Sequence, residues 1–553
     1  MSGFLAHLPV LPILVPLAGA AIMLFFDERR RRLKARINVA TTIVLALASL
    51  ALLVETAADP NTAQVYRLGD WPAPFAIVLV ADPLASLMVM LTSLLALASL
   101  TFSLARWHRS GAHFHSLFQI LLMGLNGSFL TGDLFNLFVF FEIMLAASFG
   151  LLLHGSGAPR IRASLQYIAI NLAASSLFLL GVSLIYGVTG TLNMADLSLR
   201  MAMVAPGDRT LLEAGAALLS VSFLVKAGMW PLCFWLPQAY SVASAPVAAI
   251  FVITSKVGIA VILRLSLLIF GQEASFGSEV LLAGGLATIA FGAIGVLASQ
   301  AMGRIASFSV LVSSGTLLAA IGFSSPAVTA GALFYLVSST LTICAFFLLI
   351  ELVERGREPG ADVFAVTAEA YGLDEPDEEE VLHESEEVGV AIPATIAFLG
   401  IGFFACALLI AGLPPLSGFV AKVAMLTAVL NPAGFGAESA NAPVGVWGWS
   451  FVALLILSGL ATLLAMLRTG IRIFWVPNEG SMVQRVRVIE YAPVVGLLAL
   501  CVAMTAAGEP VMSFMRAAAT AVHAPDAYVR GVLPDGSPAV PDGENENGVE
   551  AIQ

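Results

Sequence analysis

Four ionisable side chains lie in the middle of long apolar runs of this sequence, and they are Glu142, Lys226, Lys256 and Lys422. A lysine at the centre of a bilayer costs about 2.5–3.5 kcal/mol on insertion scales, so such a residue is by default a candidate for function. Burial disfavours the charged form of a lysine, whereas a neighbouring carboxylate favours it. One acid among three amines therefore has the chemistry of a proton relay.

Each of these residues also has a static interpretation. A single lysine inside a membrane can extend its amine to the interface or remain in a permanent ion pair, and Glu142 can form a fixed polar contact between two helices. The static interpretation must hold for all four residues at once to remove the relay. The sequence therefore favours the relay.

Prolines interrupt two of the apolar runs close to these lysines. Pro231 lies five residues after Lys226, and Pro414 and Pro415 lie shortly before Lys422. A proline removes a helical N–H group and frees a carbonyl, and interrupted helices at membrane depth are typical of transporter sites. We predict two helices that break within the membrane.

The composition predicts which class of protein positions these residues. Of the 553 residues, 59% are hydrophobic and 11% are charged, whereas soluble domains have about 25% charged residues. We therefore predict an all-α, polytopic membrane protein with about 14 transmembrane helices. Basic clusters such as 29–36 and 106–109 follow alternate runs, which places them in the cytoplasm and both termini outside.

The net charge of −11 arises from one segment. Residues 351–389 contain fourteen acidic side chains against Arg355 and Arg357, a local charge of −12, so the remainder carries +1. This acidic insertion is either a solvated cytoplasmic loop or a cation-collecting or regulatory surface. The four cysteines are scattered singly, and no nucleotide-binding motif is present, so we expect no cofactor, no metal site and no nucleic-acid partner.

The motifs around the charged residues resemble a known family, the antiporter-like subunits shared by respiratory complex I and Mrp-type multisubunit cation/proton antiporters. The resemblance implies two inverted repeats, pairing of Glu142 with Lys226, a central relay position for Lys256 and a terminal one for Lys422. The proline motif looks most like the D-type subunits of the Mrp antiporters, and the acidic loop looks like the potassium type called Pha. The motifs are GDLFNLFVFFE at 132–142, KAGMWPLCFWLP at 226–237, SKVG at 255–258 and GLPPLSGFVAK at 412–422.

The resemblance also implies an arrangement of the chain. We predict N-terminal transmembrane helices, a first repeat that carries Glu142, Lys226 and Lys256, a second repeat that carries Lys422 and the acidic insertion, a final transmembrane helix and a disordered external tail. The corresponding ranges are 1–110, 111–270, 271–476 with the insertion at 351–390, 477–516 and 517–553.

Several further residues are possible accessories of the relay. Many relatives carry histidines on the eleventh helix, where this sequence has hydroxyl residues, which conduct protons with ordered water but cannot hold a charge. Asp82 and Asp133 each have a structural interpretation, as a helix cap or turn residue, and a functional one, as an entry-path carboxylate. The hydroxyl residues are Ser338, Ser339, Thr340 and Thr342.

We predict a proton-translocating subunit of a multisubunit Na⁺ or K⁺/proton antiporter, whose partners are other membrane subunits and the bilayer. One alternative is the non-redox, proton-pumping subunit of an NADH:quinone oxidoreductase or membrane hydrogenase. Another is a scaffold for a separate cation-carrying subunit.

Overall fold

The computed structural model describes residues 6–75, 77–109, 112–155, 157–201, 203–270, 277–355, 394–432, 444–474 and 486–533. Nearly all of these residues are helical, as the apolar runs predict. In chain order the helices are α1 (Leu11–Leu24), α2 (Arg31–Ala58), α3 (Pro83–Ser103), α4 (Phe114–Leu130), α5 (Leu134–Leu152), α6 (Ala158–Thr189), α7 (Met194–Met201), α8 (Arg209–Ala227), α9 (Trp235–Val242), α10 (Ala245–Phe270), α11 (Ser278–Ala298), α12 (Met302–Gly322), α13 (Pro326–Glu354), α14 (Ala394–Ala411), α15 (Ser417–Leu430), α16 (Val446–Phe474), α17 (Val488–Ala506), α18 (Gly508–His523) and α19 (Asp526–Val532).

The number of membrane crossings agrees with the prediction. Among the described residues, eleven helices are long and apolar enough to cross a membrane alone. Helices α1 and α4 are shorter but equally apolar, and α14 with α15 makes one further crossing. The chain is therefore a multi-pass membrane protein, and the helices in its described part account for about fourteen crossings by length and composition.

Two helices form the interior of the bundle. In α10 the whole of the most apolar stretch is buried, and in α13 94% of it is buried. These helices pack against each other, and between them they also contact α3, α8, α12 and α15. Because helices with such surroundings have almost no contact with lipid, their polar side chains face other helices.

Glycines allow several helices to touch backbone to backbone. One such contact joins α11 and α12, where a Cβ atom on Gly315 would lie 2.7 Å from the backbone nitrogen of Ile289 and 2.8 Å from the carbonyl oxygen of Gly285. Small residues at such crossings replace the hydrophobic effect with close van der Waals packing, which holds helices together in lipid.

A small hairpin covers one end of the bundle. Strands β1 (Gln64–Arg67) and β2 (Val78–Ala81) pair antiparallel. The backbone N–H of Gly132, in the turn between α4 and α5, donates to the carbonyl of Val78 at 2.9 Å. The hairpin and this turn therefore share one face.

The predicted inner turns meet at the opposite end. The indole of Trp107, after α3, donates to the Glu351 carboxylate at 2.5 Å, and Arg355 pairs with both Glu351 and Glu490 at 2.6 Å. This face, which we call the basic face, also carries the turns that contain residues 25–30 and 153–155. Of the predicted acidic insertion, residues 356–390 lie outside the described residues.

The prediction of a disordered tail from residue 517 is wrong for residues 517–533. Helices α18 and α19 continue the fold, with Met512, Met515 and Val522 buried on one side of α18. The Arg264 guanidinium lies 5.2 Å from the centre of the Tyr528 ring in α19. These apolar residues repeat at helical spacing, and the polar, Pro/Gly-rich composition beyond them concealed that pattern. Residues 534–553 lie outside the described residues.

The contact between α11 and α12 provides a test of the packing. Gly315→Ala places a methyl group against two backbones, and overpacking of this kind costs about 1–3 kcal/mol. We expect a lower midpoint in a thermal unfolding experiment on the purified complex. Gly496→Ala is the matched control, because a Cβ atom on this helical glycine meets nothing within 4 Å. Equal midpoints for the two variants would contradict the proposed contact.

Candidate proton relay

The first predicted helix break is confirmed. Helix α8 ends at Ala227, Gly228 follows with a φ of +75°, and α9 begins only at Trp235, so Pro231 lies within the gap. A side chain from the far end of the gap bonds back to the end of α8. The indole of Trp235 donates to the carbonyl of Val225 at 3.1 Å.

Lys226 lies in the last turn of α8 and is 4% exposed. A cation there is favoured by the helix dipole. Its Nζ atom lies 4.9 Å from the centre of the Phe141 ring, a cation–π contact.

Glu142, the next residue of α5, exerts an electrostatic influence on Lys226. Its Oε1 atom is buried without a hydrogen-bond partner among the described residues. Among the described residues Glu142 and Lys226 form no direct ion pair; the ring of Phe141 lies against the amine, and the unpartnered carboxylate oxygen belongs to the next residue. Their pairing remains a prediction.

Lys256 lies near the middle of α10 and is completely buried. Its amine donates to Ser313 Oγ at 2.9 Å and to Ser314 Oγ at 3.4 Å, both on α12. Helices α8 and α10 approach closely at Gly258, where a Cβ atom would lie 2.8 Å from the carbonyl oxygen of Phe223. The helices that carry Lys226 and Lys256 are therefore in direct contact.

Hydroxyl groups continue from Lys256 toward the second broken helix. Ser313 Oγ lies 3.0 Å from Ser339 Oγ of α13, and the neighbouring Ser338 Oγ lies 2.8 Å from Ser417 Oγ at the start of α15. Adjacent residues of α13 thus reach two different helices. We call Ser313, Ser339, Ser338 and Ser417 the serine link.

The other two predicted hydroxyl residues do not join this link. Thr342 Oγ1 donates to the carbonyl of Ser338 at 2.7 Å and lies 3.6 Å from the Cys501 sulfur. Thr340 Oγ1 is buried without a hydrogen-bond partner in the described part of the chain. The sequence analysis missed Ser313 and Ser417, although the Ser313–Ser314 pair in an apolar run and the position of Ser417 beside two prolines were visible signals.

The second predicted break is also confirmed. Helix α14 ends at Ala411 and α15 begins at Ser417, with Pro414 and Pro415 between them. The Lys422 amine donates to the carbonyl of Ala411 at 2.7 Å, across the break. Here the lysine itself satisfies a carbonyl that an intact helix would have used.

Glycines make room for the Lys422 side chain. A Cβ atom on Gly412 would lie 2.9 Å from Lys422 Nζ, and one on Gly459 would lie 3.3 Å from it. Larger residues at either position would displace the amine from the Ala411 carbonyl.

Asp82 and Asp133 both cap helices at the face that carries the hairpin. Asp82 accepts the Ala85 N–H at 2.8 Å and forms an ion pair of 2.8 Å with Arg264, which the sequence analysis did not select. Asp133 accepts the Asn136 N–H at 2.9 Å. Burial raises the pKa of the Asp133 carboxyl, although backbone N–H groups oppose the shift. Their described bonds involve none of the four relay residues.

A polar cavity of about 350 Å³ lies at the basic face. Its lining includes Arg160, Glu351 and Tyr240. The Tyr240 hydroxyl lies 2.8 Å from Thr254 Oγ1, two residues before Lys256. The cavity also contacts Ala245 and Ala248, in the first turn of the helix that carries the central lysine.

Within the described ranges, no group of three or more histidine, cysteine, aspartate or glutamate side chains is arranged to hold a metal ion. The chemistry of the site is therefore argued from its amines, carboxylate and hydroxyls.

Sequence comparisons support the family resemblance. The family model described as "NADH:quinone oxidoreductase/Mrp antiporter, TM" matches residues 131–435, which include all four charged relay candidates. A Rhizobium meliloti protein, named as the D component of a probable K(+)/H(+) antiporter, is 59% identical over 541 residues, 96% of this chain and 98% of that protein. A Bacillus subtilis protein, named as the D component of a Na(+)/H(+) antiporter, is 32% identical, covering 95% and 99% of the two chains.

Solved structures agree. A chain of the Mrp complex from Dietzia has a TM-score of 0.80 at 25% identity and covers 96% of this chain and 99% of its own length. A chain of an archaeal membrane-bound sulfane sulfur reductase has a TM-score of 0.77 at 22% identity, covering 96% and 99%, which shows a shared fold. From the matched motifs, the relatives and the fold together, the chain belongs to the family of transmembrane subunits shared by NADH:quinone oxidoreductases and Mrp antiporters.

Proposed function

We propose that this chain is the proton-translocating, D-type component of a multisubunit monovalent cation/proton antiporter. The observation that carries the proposal is the hydrogen-bonded connection of the buried Lys256 amine to Ser313 and Ser339. From Ser338, the neighbour of Ser339, the serine link continues to Ser417 on the helix that holds Lys422.

Lysine and serine have complementary tasks in such a path. A buried amine can hold a proton or release it, because burial and nearby charges bring its two forms close in free energy. A hydroxyl is both donor and acceptor, so it can take a proton on a lone pair and pass its own onward, but it does not store charge. Lys256 and Lys422 are therefore the residues that hold the proton, and the serine link, with ordered water, carries it between them.

Glu142 and Lys226 control the entrance to this path. The unpartnered Oε1 of Glu142 makes the pair sensitive to small movements, since the attraction between two charges in a low-dielectric interior changes steeply with distance. When Glu142 approaches Lys226, the amine keeps its proton. When Glu142 withdraws, the proton is released toward Lys256.

The relatives favour an antiporter over a respiratory pump. The relatives named as D components of antiporters are 32–59% identical to this chain over alignments that cover 95–96% of it. The chains of respiratory complexes share the fold at only 19–22% identity. The Rhizobium relative supports potassium as the exchanged cation, and the Bacillus relative supports sodium.

The location and topology follow from the same reasoning. The relatives are bacterial, so we infer a bacterial plasma membrane. The basic turns gather on one face, which is the cytoplasmic face under the positive-inside rule. Both termini then lie outside, with other antiporter subunits as partners within the membrane.

The role of the buried lysines can be tested by removing the amine. Lys256→Met keeps an apolar side chain of similar length that cannot hold a proton, so we expect loss of Na⁺- or K⁺-driven proton movement in everted vesicles. Lys226→Met should have the same effect. Co-purification of the partner subunits establishes that each variant assembles. Undiminished exchange in both assembled variants would instead support a scaffold role.

The serine link can be tested by removing one hydroxyl. Ser339→Ala breaks the contact with Ser313, and we expect exchange to slow at least about tenfold, a barrier increase of about 1.4 kcal/mol. Ser339→Thr should restore much of the rate because it retains a hydroxyl. Ser309→Ala is the matched control, since this buried hydroxyl bonds only within its own helix, to the carbonyl of Ile305. Equal rates in Ser339→Ala and Ser309→Ala would exclude the link.

A further inference from the structure

A second buried polar cluster lies outside the relay, between α2 and α4 near the basic face. It consists of Asn38, Thr42, His115 and Gln119, which we call the amide–histidine cluster. All four side chains are at most 4% exposed. Their position in the N-terminal helices separates them from the relay lysines, so the mechanism above does not use them.

The hydrogen bonds of the cluster define which atoms donate. Gln119 Nε2 donates to Asn38 Oδ1 at 2.6 Å and to Thr42 Oγ1 at 2.9 Å. With its oxygen occupied in this way, Asn38 presents Nδ2 to His115 Nδ1 at 2.8 Å. Because an amide nitrogen only donates, His115 Nδ1 must accept, and the imidazole is neutral with its proton on Nε2.

Two atoms of the cluster are left without partners. His115 Nε2 and Gln119 Oε1 are both buried and have no hydrogen-bond partner among the described residues. A buried polar atom in this condition costs about 1–3 kcal/mol, and native proteins rarely keep one without a reason. The cluster in this state is therefore incompletely satisfied.

We propose that His115 is a second proton-binding site, separate from the relay and loaded from the basic face. A proton added to Nδ1 turns that atom into a donor, so the Asn38 carboxamide rotates and its Oδ1 accepts. The rotated Asn38 then presents Nδ2 to Gln119, whose unpartnered Oε1 turns to receive it. The cluster thus has two alternative hydrogen-bond arrangements that differ by one proton taken from solvent.

Charged and titratable groups surround His115 on the neighbouring elements. They are Lys34 on α2, Glu28 before it, His108 after α3 and His154 after α5. Glu28 contributes a negative charge to this surrounding, and Lys34 contributes a positive one. The electrostatic surroundings of His115 therefore depend on several groups of the basic face.

Hydrogen bonds stabilise the negative charge of Glu28. Burial raises the pKa of the Glu28 carboxyl, but hydrogen bonds from Lys34 and from the His113 backbone lower it by more. The pKa therefore lies below its usual value. The His113 imidazole also contacts Glu28, at 2.9 Å. These hydrogen bonds therefore favour the carboxylate form of Glu28.

Close packing connects the cluster to the relay. A Cβ atom on Gly124 of α4 would lie 2.9 Å from the backbone nitrogen of Met144, two residues after Glu142 on α5. A shift of α4 therefore moves the helix that carries Glu142. Resting on the proposed function, this predicts that a proton on His115 disturbs the arrangement of Glu142 and Lys226 and slows exchange on the acid side.

The test is the pH profile of exchange by the assembled complex in everted vesicles, with the pH at the outward-turned cytoplasmic face varied. Wild type should lose activity at acid pH. His115→Gln should remove this acid-side decline while the rate at alkaline pH stays within about twofold. His523→Gln is the control, because this histidine bonds to Thr329 on the opposite face and should leave the profile unchanged.

A second variant keeps the proposal testable if His115→Gln does not assemble. Asn38→Asp has the same shape and places a carboxylate against Nδ1. A neighbouring opposite charge favours the protonated imidazole, so the midpoint of the acid-side decline should move at least about one pH unit upward. An unchanged midpoint in Asn38→Asp, or an unchanged decline in His115→Gln, overturns the proposal. Absence of wild-type exchange at every pH would instead count against the proposed function.

Discussion

The burial of the Lys256 amine is the constraint on which much of the structure depends. A charged amine inside a bilayer must find polar partners from the protein, because lipid offers none. Helix α10 is enclosed by other helices, and α12 supplies Ser313 and Ser314 at hydrogen-bond distance. One of these two serines, Ser313, is also the first member of the proposed serine link. Stability and function therefore draw on the same contacts.

The two helix breaks solve one problem in two ways. Each break frees carbonyl groups that must be satisfied within the membrane. At the first break the Trp235 indole serves the Val225 carbonyl, which leaves Lys226 available for Phe141 and Glu142. At the second break Lys422 itself serves the Ala411 carbonyl. The first lysine thus lies near a carboxylate, whereas the second is bonded to the backbone.

Much of the fold could be predicted from the sequence because the physical signals were local. Long apolar runs predicted the crossings, and prolines beside Lys226 and Lys422 predicted the breaks. The prediction failed at α18 and α19, where a short amphipathic stripe was judged together with the polar tail that follows it. Arg264 was missed because its partner, Asp82, lies far away in sequence and the ion pair forms only when α3 and α10 meet.

The sequence by itself determined that this chain crosses a membrane many times and buries one carboxylate and three amines, since hydropathy and charge are properties of each segment. Only the tertiary structure decided which hydroxyls connect those amines. Ser338 and Ser339 are neighbours in sequence, yet one contacts α15 and the other α12, because successive helical residues point about 100° apart. The amide–histidine cluster likewise exists only where α2 meets α4. Side-chain partners across helices depend on packing, which no single segment encodes.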